Sequence, residues 1–336
     1  MTPKSLRLAA ALLLAAAFAG THARPDAPSP RAAVEAAAQE FDFSDAADWM
    51  SRNAALLEGR KLVQIVLPGA HDAASYSLQR RSRACPSRIN PSAALAAFLM
   101  APRARAQEAP LSAQLAAGVR YLDLRVCALR DGAGAPVFYT HHSLLGAPLD
   151  EVLDDLDRFS RAHPREIVIL DFQHLNGFTA ADRATLAAQI ERRFDGRLLP
   201  TSESPALLTL REAWRRGISL IAIMAGAQPS AHVFDRSRIL DSRWFRAKSV
   251  GALEQSAAAE NFESARLHVL QWQLTPGLFE FLAHPTATLR EFAQGPNALI
   301  LDGTLRRLLP VRSLNVVMTD DVVAVAASIA RLNALR

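Results

Sequence analysis

A histidine and an aspartate stand side by side in the segment VLPGAHDAASY, residues 66–76, as His71 and Asp72. The preceding residues are apolar and β-branched, and the run breaks at Pro68 and Gly69, so a buried strand is predicted to end there. An imidazole titrates near neutral pH, and an adjacent carboxylate raises its pKa and fixes its tautomer. The pair therefore indicates proton-transfer chemistry at a strand end, although a turn or cap could use the same residues.

Further polar side chains follow other apolar runs in the same way. They are Asp123 and Arg125, His141 and His142, Asp171, Gln173 and His174, and Asp320 and Asp321. In a (β/α)8 barrel, catalytic groups come from the carboxyl ends of several strands and meet at one face. The distribution therefore predicts one shared site at the mouth of a barrel.

The elements that would position these residues alternate between strand and helix patterns, which predicts an α/β protein with a mostly parallel sheet. Strands are predicted at residues 62–67, 121–126, 136–140, 167–172, 218–223, 268–274, 298–301 and 315–319. Helices are predicted at 111–117, 149–162, 180–194, 210–215, 286–293 and 322–335. No glycine-rich dinucleotide-binding turn follows the first strand. A single (β/α)8 TIM barrel over residues 41–336 fits this pattern better than two open sheets.

The first 40 residues are predicted to precede the barrel. Lys4 and Arg7 lead into an apolar run with small residues after it, which is typical of a signal peptide over residues 1–23. Residues 24–40 form a linker rich in Pro, Ala and Ser. We therefore expect a secreted or periplasmic protein, in which Cys85 and Cys127 either pair or stay free thiols. The formal charge of +5 is only mildly basic and does not indicate nucleic-acid binding.

Several motifs resemble, in order along the chain, the X-domain family of phosphatidylinositol-specific phospholipases C. They are DWM at 48–50, LPGAHDAASY at 67–76, GVRYLDLRV at 118–126, FYTHHSLLG at 138–146, LDEVLDDLDRFSRAHPREIVILDF at 149–172, LQWQLTP at 270–276 and NVVMTDD at 315–321. Members of this family have a distorted (β/α)8 barrel and cleave the phosphodiester bond between diacylglycerol and an inositol headgroup. The resemblance therefore implies this fold and a secreted phosphodiesterase or lyase that acts on phosphatidylinositol-like lipids.

The resemblance also implies catalytic roles for five residues. His71 would be the general base and His142 the general acid, while Arg125 would neutralise the phosphate. Asp72 would support the acid, and Asp320 would orient the base. Because an inositol hydroxyl beside the phosphate can attack it, no protein nucleophile is required, and two imidazoles suffice for the proton transfers. A guanidinium matches the geometry of phosphate and stays charged.

Three further residues are assigned to substrate binding. Gln173 stands where bacterial members carry a lysine. Asp123 shares a strand face with Arg125 and would alternatively support that arginine. Trp272 alternates with leucines and would alternatively pack in the core, whereas His141 remains an alternative to its neighbour as the acid.

We expect neither a metal nor another cofactor. Eukaryotic members hold calcium with an Asn after the first histidine and with acids in later strands. Here Asp72 stands at the Asn position, and Arg125 and Gln173 occupy acid positions, so the resemblance implies the metal-independent bacterial type.

The expected partner is a phospholipid at a membrane surface. Peripheral contact could come from an arginine-rich loop near residues 80–105, and we expect a monomer. The alternatives are a phosphodiesterase for another phospholipid or glycerophosphodiester headgroup, and a non-catalytic lipid-binding barrel.

Overall fold

A computed structural model describes residues 41–79, 82–86, 104–260, 265–284 and 287–336. The predicted signal peptide and linker, residues 1–40, lie outside this part of the chain and stay predictions. Most of the arginine-rich loop also lies outside it. Within the described residues, no helix is both long enough and apolar enough to cross a lipid bilayer.

Eight parallel strands of the described residues form one curled sheet, which confirms the predicted barrel class. They are β1 (Leu67–Ala70), β2 (Tyr121–Arg130), β5 (Val168–Asn176), β6 (Leu220–Met224), β7 (Val233–Asp235), β8 (Leu240–Arg243), β9 (Leu267–Gln271) and β10 (Val316–Thr319). A hairpin of β3 (Pro136–His142) and β4 (Leu144–Pro148) pairs antiparallel with β2. The order β7-β6-β5-β2-β1-β10-β9-β8 ends at two strands that are neighbours in the chain. In the described residues these two strands do not pair with each other, so the barrel is open between β7 and β8.

Helices connect and cover the strands. They are α1 (Trp49–Arg52), α2 (Ala54–Leu57), α3 (Leu111–Ala116), α4 (Leu149–Ala162), α5 (Ala180–Arg193), α6 (Leu210–Arg216), α7 (Arg236–Ile239), α8 (Val250–Ala258), α9 (Leu278–Ala283), α10 (Leu289–Leu301), α11 (Thr304–Leu308) and α12 (Ala326–Arg331). Helix α4 forms as predicted because its buried apolar residues recur with helical spacing, from Leu149 to Phe159. Asp150 and Glu151 in its first turn and Arg161 in its last turn suit the helix dipole.

Alternation along the strands separates an outer face from an inner face. Leu122 and Leu124 of β2 pack outward, in one cluster with residues of α4 and α5. Tyr121 and Ile169 pack on the inner face in a second cluster. Toward the carboxyl ends, the residues that continue the inner alternation are polar: Asp123 and Arg125 on β2, Asp171 and Gln173 on β5, His71 after β1, and Asp320 after β10. The strands therefore deliver polar groups to one mouth, as predicted.

Gly69 of β1 lies two residues before His71 and faces the same side of the sheet. Its lack of a side chain allows the neighbouring strands to pack closely against β1. A Cβ atom there would lie 2.8 Å from Cγ1 of Val316 and 3.2 Å from Cδ1 of Tyr121. Because these neighbours belong to the strands on either side, any larger residue would push the wall apart directly beneath the predicted base.

Two predicted strands are wrong. Residues 62–67 contain a 3₁₀ turn, Leu62–Gln64, and only Leu67 joins β1. Residues 298–301 are the end of helix α10. Most of residues 62–67 pack in the core, whereas in 298–301 only Ile300 is buried and Leu301 is 60% exposed. A short apolar run does not by itself distinguish a strand from a helix segment. Strands β4, β7 and β8 are not predicted, since each has only three to five residues.

Cys85 and Cys127 form a disulfide, which the sequence left open. The bond holds residues 82–86 against the hairpin, where Cys85 N donates to Ser143 O at 3.0 Å and Leu145 N donates to Arg83 O at 2.7 Å. Ser143 has a left-handed backbone, with φ +65°. The disulfide therefore fastens the turn that directly follows His142.

Replacing both cysteines by serine is expected to lower the free energy of unfolding. The bond closes a loop with a sequence separation of 42 residues, and a loop of this size predicts a loss of about 4 kcal/mol. Urea denaturation with and without reductant measures the effect. Reductant should destabilise the wild type and leave the double variant unchanged, and an unchanged wild type would contradict the pairing.

Candidate active site

His71 is held between a carboxylate and a guanidinium. Its Nδ1 lies 2.6 Å from Oδ1 of Asp320, and its Nε2 lies 2.6 Å from Nη2 of Arg125. In the neutral tautomer that fits both contacts, Nδ1–H donates to Asp320 and Nε2 accepts from Arg125. Burial and the charge of Arg125 would lower the pKa of His71, but the charge and hydrogen bond of Asp320, together with the charge of Asp123, outweigh them, so the pKa is raised. Asp320 thus orients the ring and raises the proton affinity of Nε2.

His142 occupies the opposite side of the mouth. Its Nδ1 lies 2.7 Å from the carbonyl oxygen of Ala104 and 3.0 Å from Oδ2 of Asp72. Because the carbonyl contact satisfies hydrogen-bond geometry, we assign the Nδ1–H donation to Ala104 and a charge interaction to Asp72. Burial would raise the pKa of Asp72, but His142 and Arg125 outweigh it and lower the pKa to about 2. Asp72 therefore places a negative charge beside the imidazole of His142.

The two imidazole rings face each other at a distance suited to one small group. Their centroids are 6.4 Å apart and their planes lie at 79°. Both side chains keep partial exposure, 13% for His71 and 25% for His142. Hydrogen bonds of about 2.6–3.2 Å to each ring would bracket a single phosphate group.

Asp123 supports the arginine instead of contacting a substrate. Its side chain is 0% exposed. Oδ2 accepts from Arg125 Nη2 at 3.3 Å and from the backbone N–H of Asp72 at 3.0 Å. Burial would lower the pKa of Arg125, but Asp123 and Asp72 outweigh it and raise the pKa. The predicted substrate-binding role of Asp123 is therefore replaced by a positioning role, because a fully buried carboxylate cannot reach a ligand.

Gln173 links this group to a second arginine that the sequence reading missed. Gln173 Nε2 donates to Asp123 Oδ1 at 3.3 Å, and its Oε1 accepts from Arg236 Nη2 at 2.7 Å. Arg236 also donates to both oxygens of Asp171, at 2.9 and 3.1 Å. Burial raises the pKa of Asp171 to about 6, although Arg236 opposes this. The amide of Gln173 is thus oriented by protein partners and lies at the mouth as predicted.

Trp272 and His141 do not join this arrangement. Trp272 is 0% exposed, and its Nε1 donates to the carbonyl of Pro296 at 2.9 Å. Its predicted substrate-binding role is therefore wrong, because the indole is enclosed in the core behind the strand. His141 is buried, and burial lowers its pKa to about 4, which disfavours an acid role near neutral pH. The geometry favours His142 as the acid.

These residues do not fit a divalent cation. The guanidinium of Arg125 contacts both His71 and Asp123 where a cation would need carboxylate oxygens. In the described part of the chain, no group of three His, Cys, Asp or Glu side chains is arranged to hold a metal ion.

Comparisons with known proteins agree with the motifs. No protein-family model matches the chain. The chain is 32% identical to PI-PLC X domain-containing protein 1 of Mus musculus over 196 residues, which cover 56% of this chain and 55% of that protein. It is 27% identical to PI-PLC X domain-containing protein 2 of Mus musculus over 301 residues, which cover 86% and 88%. The chain thus spans only about half of the first relative and most of the second.

Solved structures share the fold. Phosphatidylinositol-specific phospholipase C from Listeria monocytogenes aligns with a TM-score of 0.59 and 19% identity, over 85% of this chain and 98% of that one. A variant of the Staphylococcus aureus enzyme aligns with a TM-score of 0.57 and 16% identity, over 85% and 97%. The chain is therefore similar in sequence to the PI-PLC X domain-containing proteins, as its motifs predict, and shares the barrel fold of the bacterial phosphatidylinositol-specific phospholipases C.

Proposed function

We propose that the protein is a phosphodiesterase that cleaves the glycerophosphate bond of phosphatidylinositol-like lipids. The observation that carries this proposal is the pair of carboxylate-supported imidazoles, 6.4 Å apart, with Arg125 against one of them. Two proton-transfer groups and one fixed cation are what the cleavage of a phosphodiester by a neighbouring hydroxyl needs. The names of the relatives support the same class of substrate.

The proposed reaction proceeds within the substrate. When the substrate phosphate accepts the hydrogen bond of Arg125, the lone pair of His71 Nε2 becomes free. The inositol hydroxyl beside the phosphate then forms a new bond to phosphorus, and His71 Nε2 accepts its proton. The bond from phosphorus to the glycerol oxygen breaks, and His142 donates a proton to that oxygen. Arg125 offsets the charge on the phosphoryl oxygens, because its guanidinium stays charged and matches the geometry of a phosphate. The products are diacylglycerol and a cyclic inositol phosphate.

Phosphorus NMR of mixed phospholipid vesicles tests the proposal. With chelator present, we expect a cyclic phosphate signal from phosphatidylinositol alone. Turnover of another phospholipid would favour the alternative headgroup, and binding without turnover would favour a non-catalytic barrel. Activity that chelator abolishes and calcium restores would contradict a metal-independent mechanism.

Membrane contact is proposed at the edge of the mouth formed by the loops after β8 and β9. Trp244 follows β8 directly and is 51% exposed, and Phe279 in α9 is 78% exposed. Arg246 lies over the Trp244 ring, 4.9 Å from its centroid. Arg243 and Lys248 are exposed nearby, with Glu260 and Glu280 at 3.5 and 3.7 Å. Exposed aromatics beside basic residues suit the interface of an anionic bilayer.

Replacing Trp244 and Phe279 by serine is expected to weaken vesicle binding by about tenfold or more for each side chain, because each loses the burial of a large apolar group. Turnover of a soluble inositol phosphodiester should stay unchanged. Leu207→Ser is the matched control, because Leu207 is also exposed, by 55%, but lies away from the mouth. Its neighbour Leu208 accepts a hydrogen bond from the backbone N–H of Leu62, which precedes β1 at the amino end of the barrel. Vesicle sedimentation measures binding. If Leu207→Ser lost as much vesicle affinity as the replacements of Trp244 and Phe279, the assignment of the membrane contact would be contradicted.

Export to an oxidising compartment is also proposed. The signal-peptide pattern of residues 1–23 and the Cys85–Cys127 disulfide support it together. The monomeric state stays a prediction.

A further inference from the structure

A short segment, residues 104–107, touches the loops of both predicted catalytic histidines; we call it the brace. The Ala104 carbonyl accepts from His142 Nδ1 at 2.7 Å, and the Ala106 carbonyl accepts from Asp321 N at 2.8 Å. The brace itself is fixed by Ser75, whose Oγ accepts from the backbone N–H groups of Ala106 and Gln107 at 3.0 Å each. It therefore joins three loops of the mouth.

The side chain of Gln107 makes the central contacts of the brace. It is 1% exposed. Its Nε2 donates to the carbonyls of His71 at 3.0 Å and Thr319 at 2.9 Å, and its Oε1 accepts from Val322 N at 3.0 Å. Both amide hydrogens and the amide oxygen are thus satisfied, which leaves the side chain a single orientation.

These contacts lie at the point where two neighbouring strands separate. The last backbone bond between them runs from His71 N to Thr319 O, at 3.1 Å. Gln107 adds one more link beyond it and holds the chain on both sides of Asp320, through Thr319 and Val322. We propose that Gln107 is a positioning residue that sets the distance between His71 and Asp320 and so keeps the base oriented for the proton transfer.

The inference deepens the proposed function and rests on it for its kinetic consequence. The positioning role itself can be measured without any turnover, because the pKa of His71 depends on how closely Asp320 approaches it. The other charged or titratable groups that face His71 are Asp123 and Arg125 from β2, Asp72 from its own loop and His142 from β3. None of them is bonded to the Gln107 side chain. A change at Gln107 therefore reaches His71 through its own backbone carbonyl and through the segment that carries Asp320, and both alter the distance between these two side chains.

The test compares Gln107→Met with Asn333→Leu. Each substitution keeps the approximate volume and removes three buried hydrogen bonds, since Asn333 donates to Val66 O and Ala330 O and accepts from Val66 N at the other end of β1. Histidine NMR titration is the first readout. We expect the pKa of His71 to fall toward its ordinary value in Gln107→Met and to stay raised in Asn333→Leu.

The kinetic readout follows on a soluble inositol phosphodiester. For Gln107→Met we expect kcat to fall by roughly ten- to a hundredfold, as for a misplaced catalytic group, with KM little changed. We also expect the acidic limb of the pH profile of kcat to shift to lower pH in this variant, because the pKa of the base falls. An unchanged His71 titration, or an equal kcat loss in both variants, would overturn the proposal. If Gln107→Met does not fold, the same titration on Gln107→Asn decides, because that amide is too short to reach both carbonyls. Absence of wild-type turnover would refute the proposed function and leave the NMR result to judge the positioning role.

Discussion

His71→Ala and His142→Ala are each expected to lower kcat on phosphatidylinositol by about 10²–10⁴-fold, the usual contribution of a general acid or base. His71 Nε2 is the nitrogen that faces the guanidinium, and its other nitrogen is held by Asp320. His142 is held through Nδ1 by the carbonyl of Ala104, with Asp72 3.0 Å away. In both variants these partners would remain but the proton-transfer group would be lost.

The two histidines can be told apart by the leaving group. An aryl ester of inositol phosphate expels a stable phenolate that needs no proton, so the defect of His142→Ala should shrink on this substrate. The defect of His71→Ala should persist, because the attacking hydroxyl must still be deprotonated. The comparison requires the turnover of two substrates. Release of the aryl alcohol measures turnover of the aryl ester, and phosphorus NMR measures turnover of phosphatidylinositol.

His163→Ala is the matched control for these variants. His163 Nδ1 lies 3.0 Å from Asp48 Oδ1, and its side chain is 24% exposed, so the substitution removes a similar pair outside the mouth. Its turnover should equal that of the wild type. The base and acid assignments would be reversed if the activated ester rescued His71→Ala and left His142→Ala defective.

Most of the barrel and the core of the site could be predicted from period-two patterns. On β2, the alternation of Tyr121, Asp123 and Arg125 places all three on one face, and the structure brings Arg125 to His71 accordingly. The polar ends of β5 and β10 follow the same rule. Motif resemblance then supplied roles that alternation alone could not assign.

Other features depend on contacts that no local pattern encodes. Arg236 follows a strand of only three residues, Val233–Asp235, which is too short to produce a signal. The alternation around Trp272 fits a core position and a binding position equally well, and only its enclosure decides. Gln107 lies 36 residues from His71 in sequence and acts through backbone carbonyls, which leave no trace in residue types.

Arg125→Met is expected to lower turnover by about 10²–10³-fold or more, as for removal of a donor to a developing oxyanion. The substitution also leaves the fully buried Asp123 without its cation, so the free energy of unfolding should fall. Arg125→Lys keeps the charge but presents a compact ammonium, which cannot contact Asp123 and a phosphate together. Turnover should therefore decrease from wild type to the lysine variant and again to the methionine variant.

Arg130→Met separates the catalytic loss from the structural one. Arg130 lies on the same strand and makes two hydrogen bonds, of 2.7 and 2.8 Å, to the mostly buried Asp182. Its loss should also reduce stability, but turnover at a temperature where the variant is folded should stay near the wild-type value. Urea denaturation and steady-state kinetics on the three variants measure both effects. If Arg125→Met lost no more turnover than Arg130→Met, the guanidinium would be only a partner of Asp123, and stabilisation of the phosphoryl charge would have to come from another cation at the mouth.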